Sequence, residues 1–204
     1  MKYKIIRDKD YLHKKTLPVV SIAEGQKIAD ELISVLDELK LGIGLSAIQI
    51  GILKSVSVIR ARKDSFPVVL MNPVVTELGT DKTIYLEGCL SIPGKAIPTI
   101  RSYKVTVETL NSANPLTYSP DVDPPTKESI PTDYGLLESI CVQHEIDHCN
   151  GILITDPGIR FIPPVTKIIK YGRNDKVVIE KNGETQYIKY KKALDLVSDG
   201  WKVI

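Results

Sequence analysis

The segment Gln143-His144-Glu145-Ile146-Asp147-His148 sets two histidines four residues apart, with a glutamate beside the first. On a helix, residues at i and i+4 lie one above the other on one face, so both imidazoles can bind a single divalent cation. The adjacent carboxylate can then exchange a proton with a water that the cation activates, which is the chemistry of a metal-dependent hydrolase. The bland alternative is a solvated, charge-laced helix surface. The flanks argue against it: Leu136, Leu137, Ile140 and Cys141 precede the motif and Ile152, Leu153 and Ile154 follow. Such a helix is expected to be mostly buried, and buried His and Glu need partners.

A catalytic cation of this kind typically takes three protein ligands and leaves a position for water. The remaining histidine, His13, sits in a polar, Lys-rich stretch and reads as a solvated surface residue. Cys89 is better placed, in Glu87-Gly88-Cys89-Leu90-Ser91-Ile92-Pro93, where Gly88 permits close backbone approach and Pro93-Gly94 suggest a tight, non-helical segment. Taken alone, such a cysteine more often packs as a small hydrophobe.

The elements that must position these residues are legible in part. Ser21-Ile22-Ala23-Glu24 has the spacing of a capping box, followed by Ile28, Leu32, Val35, Leu36 and Leu39 at helical intervals. The helix ends before Gly42-Ile43-Gly44-Leu45-Ser46-Ala47-Ile48-Gln49, a glycine-containing turn that leads into strand-like segments at 55–59 and 68–71. An alternating strand is expected at 104–110. Residues 111–134 carry five of the 13 prolines and read as a long surface excursion. Beyond Phe161-Ile162-Pro163-Pro164, segments 176–180 and 186–190 flank Asn182-Gly183, a type I′ hairpin signal; a short helix around 193–197 and a final strand at 201–204 follow.

At 204 residues, with 43% hydrophobic and 25% charged content, the chain is long enough for one substantial core. No apolar stretch approaches the roughly 18 residues needed to span a bilayer, and the N-terminus lacks a signal-peptide core. A cytoplasmic protein without membrane contact is expected. Three cysteines are too few, and odd in number, for a disulfide framework, so reduced thiols are expected. A formal charge of +2 argues against DNA as a partner.

Three blocks, 42–49, 87–91 and 143–148, resemble in order and spacing the signature motifs of peptide deformylases, and the match spans roughly residues 1–157. The resemblance implies an α+β fold, with antiparallel sheets packed around a central metal-binding helix and a C-terminal tail containing a β-hairpin. The division expected is a catalytic domain at 1–166 and an extension at 167–204 packed on it. The resemblance further implies that Cys89, His144 and His148 ligate the metal, that Glu145 is the general acid/base, and that Gln49 and the Leu90 N–H form the oxyanion hole. The reaction implied removes the formyl group from the N-terminal formylmethionine of new proteins and releases formate. The ion expected in the cell is Fe2+, with Zn2+, Ni2+ or Co2+ possible in purified protein. The partners implied are N-formylmethionyl nascent peptides and a ribosome contact, for a monomer.

Leu137, Ile140 and Cys141 share the His144 face and suggest an apolar wall for a methionine side chain, though plain core packing suits the same spacing. Ile43, Gly44 and Gly88 are further substrate-binding candidates. Glu87 and Arg101 are expected to pair and hold the Cys89 segment; an ordinary surface ion pair is the alternative. Asp147 reads as a surface or capping charge. Departures from the family pattern are Ser46 in place of alanine, Cys149 in place of leucine, Lys95-Ala96 where an arginine is frequent, and the tail, where many bacterial members have a long helix. Eight Lys or Arg against three Asp or Glu between Lys167 and Lys192 suit either an RNA contact or a solvated hairpin. The competing functions are a zinc peptidase, which needs a third His or acidic ligand downstream, and an inactive ribosome-associated binding protein.

Overall fold

The computed structural model describes residues 3–40, 42–62, 65–122, 133–159, 176–182, 184–197, 199 and 201–203. They belong to two compact units, Met1–Ile162 and Pro163–Ile204. The first unit is α+β, as the sequence led us to expect. A short helix α1 (Lys9–Leu12) precedes the long helix α2 (Ile22–Leu39); strands β1 (Gly44–Ser46), β2 (Val56–Ile59) and β3 (Val68–Met71) form one antiparallel sheet. Strands β4 (Val74–Leu78), β7 (Val105–Glu108) and β8 (Leu116–Tyr118) form a second, in the order β4-β7-β8. Between them in sequence, β5 (Lys82–Cys89) and β6 (Ile92–Ser102) make a long hairpin. Helix α3 (Tyr134–Cys149) packs against β1, β2, β6, β7 and β8.

Helix α2 is amphipathic and buries Ala29, Leu32, Val35 and Leu36 against Leu45, Val56, Val58 and Met71 of the first sheet. At its start Ser21 Oγ accepts from the Glu24 N–H at 3.2 Å, but the Glu24 carboxylate reaches back to the N–H of Val20 rather than of Ser21. The expected capping box is therefore displaced by one residue. Neither glycine of 42–44 caps the helix; Lys40 does so in the left-handed region, at φ 52°.

Helix α3 is built differently, since every residue from Ser139 to Ile146 is buried. Over that stretch the helix has no wet face and derives its stability from packing, here on Ile59, Leu70, Val105 and Val107 through Cys141, Val142 and Ile146. Its start is fixed by Asp133, whose Oδ1 accepts from the Leu136 N–H at 2.8 Å and also from the Asp121 N–H at 2.8 Å.

The tight, non-helical segment expected around Cys89 is the closed end of the β5–β6 hairpin. One expectation changes: the 111–134 stretch is not wholly irregular, since it supplies β8. Pro93 is tolerated in β6 because it falls in the stretch 93–95, which the hairpin register leaves without partners in β5, and Pro98 because its nitrogen shares the parity of Ile100, whose N–H points away from β5 to the Ile159 carbonyl. Residues 123–132 of the excursion, the 161–164 segment and residues 167–175 of the basic run lie outside the described residues. The second unit is a three-stranded antiparallel sheet, in the order β10 (Glu184–Lys189), β9 (Lys176–Lys181) and β11 (Lys202–Val203), with helix α4 (Tyr190–Val197). Ile179 and Ala193 form its buried centre, flanked by Ile188, Leu196 and Trp201. Asn182 has φ 52°, as a type I′ turn requires; Gly183 lies outside the described residues. No described helix is long and apolar enough to cross a membrane.

Burial opposes ionisation of Asp133, but the backbone donors of Asp121, Leu136 and Val122 outweigh it and hold the carboxyl below the ordinary 3.8. A depressed folded-state pKa contributes stability that is present above the unfolded value and lost as pH falls through the folded one. Asp133→Ala is therefore expected to cost about 1–2 kcal/mol at neutral pH in urea unfolding, a difference that shrinks as the pH is taken below about 4.

Candidate metal centre

Four elements converge on one cavity of about 290 Å³. Ile43 ahead of β1, Leu86 of β5, Leu90 of the hairpin turn, and Leu137, Ile140 and Cys141 of α3 form its apolar walls, while Gln49, Cys89, His144 and Glu145 supply its polar atoms. Cys89 Sγ and one ring nitrogen of each of His144 and His148 all lie within 4.8 Å of one another. Cys89 Sγ and His148 Nε2 are 3.3 Å apart. Cys89 is brought in at an irregularity in the hairpin register between Gly88 and Cys89, where the strand bends toward α3. A Cβ built on Gly88 would meet nothing within 4 Å, so this glycine leaves space at the cavity and does not serve close backbone approach.

The hairpin also carries the groups that orient the first histidine. His144 Nδ1 is 2.7 Å from Glu87 Oε2. Burial opposes ionisation of Glu87, but its bonds to His144 and Arg101 hold its pKa down at about 2, so the carboxylate only accepts and His144 Nδ1 must donate. Arg101 Nε and Nη2 bind the two oxygens of Glu87 at 2.5 and 3.1 Å, with both side chains almost wholly buried, and the Thr99 hydroxyl donates to the same carboxylate. The Glu87–Arg101 pair is thus internal and not a surface ion pair. Arg101 Nη1 extends to Asp147 Oδ2 at 2.6 Å. Asp147 consequently belongs to this network, which corrects its reading as a surface or capping charge.

The donor set suits a divalent cation. Burial drives the His148 pKa well below its usual value, and the neighbouring His144 charge adds to this, so His148 is a neutral imidazole with a lone pair to give. Its Nδ1 has no hydrogen-bond partner among the described residues. His144 shows the opposite balance: burial disfavours its charge, yet bonds to Cys89 and Glu87 hold it protonated. With Nδ1 turned to Glu87, the N–H that faces Cys89 occupies the position that a cation would claim, and metal binding to such donors releases protons. Cys141 and Cys149 are different; burial raises both thiols, which remain neutral.

Glu145 is 3% exposed, and burial pushes its pKa up to about 7. Its carboxylate lies against β1, where a Cβ on Gly44 would fall 2.5 Å from Glu145 Oε1 and 2.7 Å from Cys141 Sγ. Gly44 therefore makes room for the carboxylate. Gln49, in the turn of 3-10 helix Ala47–Ile50, accepts the Ser46 N–H through Oε1 at 2.9 Å and turns its Nε2 toward Ser91 Oγ at 3.2 Å and Cys89 Sγ at 3.7 Å.

Every site residue named from the sequence lies in or directly behind this cavity, whereas His13 is elsewhere, with its ring 2.9 Å from the Gly151 carbonyl. Sequence reasoning missed Ser91, Thr99, Tyr85 and Leu86, and it undervalued Ser46. Thr99 could have been found only by pairing β5 with β6, since its partner Glu87 is 12 positions away.

A sequence profile of the polypeptide deformylase family matches residues 2–160. The peptide deformylase of Prochlorococcus marinus strain AS9601 is 36% identical over 85% of this chain and 81% of its own length. That of Rhizobium meliloti strain 1021 is 36% identical over 74% and 82%. Among solved structures, peptide deformylase from Thermotoga maritima superposes with a TM-score of 0.61 at 27% identity, covering 79% of this chain and 98% of that one. The Legionella pneumophila peptide deformylase gives 0.61 at 29% identity, covering 74% and 82%.

Two outcomes follow from the geometry. Gly44→Ala is expected to overpack the Glu145 position and cost about 1–3 kcal/mol in thermal unfolding. Arg101→Leu strands the Glu87 carboxylate without its cation and is expected to cost about 3–5 kcal/mol, measured by urea unfolding of the metal-free protein.

Proposed function

The chain belongs to the peptide deformylase family, and on that premise we propose that Cys89, His144 and His148 hold one divalent cation and that Glu145 is the general acid/base of formyl removal. The protein is a metal-dependent hydrolase of a linear amide, taking the formyl group from the N-terminal formylmethionine of new polypeptides. The observation that carries the assignment is the meeting of one thiol and two imidazoles beside a buried carboxylate, at one end of an apolar cavity.

When bound, the cation supplies electrophilic activation of water at neutral pH. Glu145, with its pKa raised to about 7 by burial, takes a proton from the attacking water and delivers it to the departing amine as the C–N bond breaks. The products are formate and a free N-terminal methionine. Negative charge that develops on the formyl oxygen is met by Gln49 Nε2 and the Leu90 N–H. The fixed orientation of the Gln49 carboxamide supports this role, because the Ser46 N–H occupies its oxygen and leaves the NH2 group facing the thiol side of the cavity.

Ile43, Leu137, Ile140 and Cys141, with Gly44 and Gly88, receive the methionine residue; the cavity's apolar walls suit an unbranched thioether chain. Glu87 and Arg101 hold His144 and the Cys89 strand. A single thiolate with two imidazoles accepts Fe2+ and Zn2+ alike, and we assign Fe2+ in the cell. Residues 1–166 carry the activity, and residues 167–204 are an extension whose exposed Lys176, Lys189, Lys191 and Lys192 suit a ribosome contact. The working form is a cytoplasmic monomer.

The decisive assay is formate release from formyl-Met-Ala-Ser by protein purified without oxygen. Glu145→Ala is expected to lower turnover by at least about 100-fold with its metal content intact, whereas Cys89→Ala and His148→Ala lose the ion, as read by metal analysis. Gln49→Ala is expected to cost about 100-fold in kcat. Cleavage of internal peptide bonds without formate would favour a peptidase, and bound metal without turnover a binding protein.

A further inference from the structure

We propose that Ser46 is a positioning residue for the hydrolysis, holding the Glu145 carboxylate through its hydroxyl and the Gln49 carboxamide through its main-chain N–H. This rests on the assignment of Glu145 as the general acid/base. Ser46 Oγ lies 2.7 Å from Glu145 Oε2, and among the described residues it provides that carboxylate's only hydrogen bond. The serine is fully buried and does not line the cavity, so it reaches the chemistry only through its two partners.

The hydroxyl has one proton and several neighbours, the Cys149 thiol among them. Besides the carboxylate, the Glu145 carbonyl oxygen stands at 2.9 Å and Ser57 Oγ at 2.7 Å. A carboxylate is the stronger acceptor, so the Ser46 proton goes to Oε2, and Ser57, facing Ser46 across the β1–β2 register, donates to Ser46 Oγ. Hydroxyls in series polarise one another, which makes the terminal donor stronger than an isolated serine. Behind Ser57 lies Cys149 Sγ at 3.4 Å. The row therefore runs from the last turn of α3 through two strands and returns to α3 at Glu145.

The arrangement confines the carboxylate from two sides. Gly44 gives it room, and Ser46 two residues later fixes where in that room it stops. Because the Ser46 N–H also fixes Gln49, one residue sets the separation between the group that moves the proton and the group that receives the developing oxyanion. A general acid/base must hold its partner atoms within hydrogen-bond reach throughout the reaction, and a carboxylate free to rotate reaches that position for only part of the time.

The test is steady-state deformylation of formyl-Met-Ala-Ser by Ser46→Ala, Ser57→Ala and Glu145→Asp, by the Ser46→Ala/Glu145→Asp double variant, and by a Glu145→Ala control. Ser46→Ala keeps the N–H that binds Gln49 and removes only the hydroxyl. Its kcat is expected to fall about 10-fold, the value of one hydrogen bond to a charged group, with KM and metal content unchanged. Ser57→Ala is expected to shift kcat in the same direction by less. In the Glu145→Asp background, whose shorter carboxylate no longer meets Ser46, the Ser46→Ala loss is expected to vanish. An unchanged or raised kcat in Ser46→Ala, a loss of metal that tracks the loss of rate, or an equal penalty in the Glu145→Asp background would each overturn the proposal. Wild-type turnover by Glu145→Ala would instead overturn the assignment of Glu145 on which it rests.

Discussion

A helix whose middle turns are buried on all sides must find a partner within the protein for every polar group those turns carry, and α3 carries many there. Water cannot meet this requirement, and an unpaired buried charge or donor costs several kcal/mol. The rest of the first unit is arranged around that constraint. The β5–β6 hairpin brings Glu87 to His144, Arg101 to Asp147, and the Ser102 carbonyl and N–H to Gln143. The first sheet brings Ser46 to Glu145 and Ser57 to Cys149. The buried side-chain atoms that stay unpartnered in the described residues are Thr109 Oγ1 and His148 Nδ1, so α3 leaves a single nitrogen unmet. Catalytic groups held in this way need little reorganisation when charge moves, which is the electrostatic advantage of a dry, preorganised site.

The hairpin achieves this by inverting the usual pattern of a half-exposed strand. Along β5 the buried positions are Thr83, Glu87 and Cys89, while Ile84 and Leu86 stand exposed; along β6, Thr99 and Arg101 are buried and Ile100 is exposed. An alternating strand ordinarily turns its apolar residues inward. Away from the turn, near which Ile92 and Ile97 are buried in the ordinary way, the inward face is ionic because its neighbour is the polar side of α3, and the pair Glu87–Arg101 is supportable only because each oxygen and nitrogen meets a further donor or acceptor. Replacing its members one at a time therefore costs more than the pair contributes as a unit.

This inversion also explains what could be read from the amino-acid sequence and what could not. The ligand-bearing helix was legible because its chemistry is local: His144 and His148 are one turn apart, and the apolar flanks mark burial. Helix α2 and strands β2, β3 and β7 were legible by periodicity for the same reason. The hairpin was not, since its prolines and glycines at 93, 94 and 98 read as irregular chain and its outward apolar residues carry the wrong sign for a core. Asp147 was misread because helical phase places it off the ligand face, and only the arrival of Arg101 from a distant strand turns that position into a partner. Ser46 looked like a minor change in a turn, because nothing in its neighbours announces that a carboxylate 99 positions later will lie against it.

The long chain separations in the site have a consequence for how the molecule comes into being. Ser46 meets Glu145 across 99 residues, and Cys89 meets His148 across 59. Contacts of such reach form late, because the entropy of closing the intervening loops is lost before any favourable energy returns. A nascent fragment that stops short of α3 holds only one of the three donors, Cys89, so competence requires the last third of the unit. Turnover in this protein is for that reason a sensitive gauge of complete folding: opening any one of the flanking layers separates donors that nothing else keeps together.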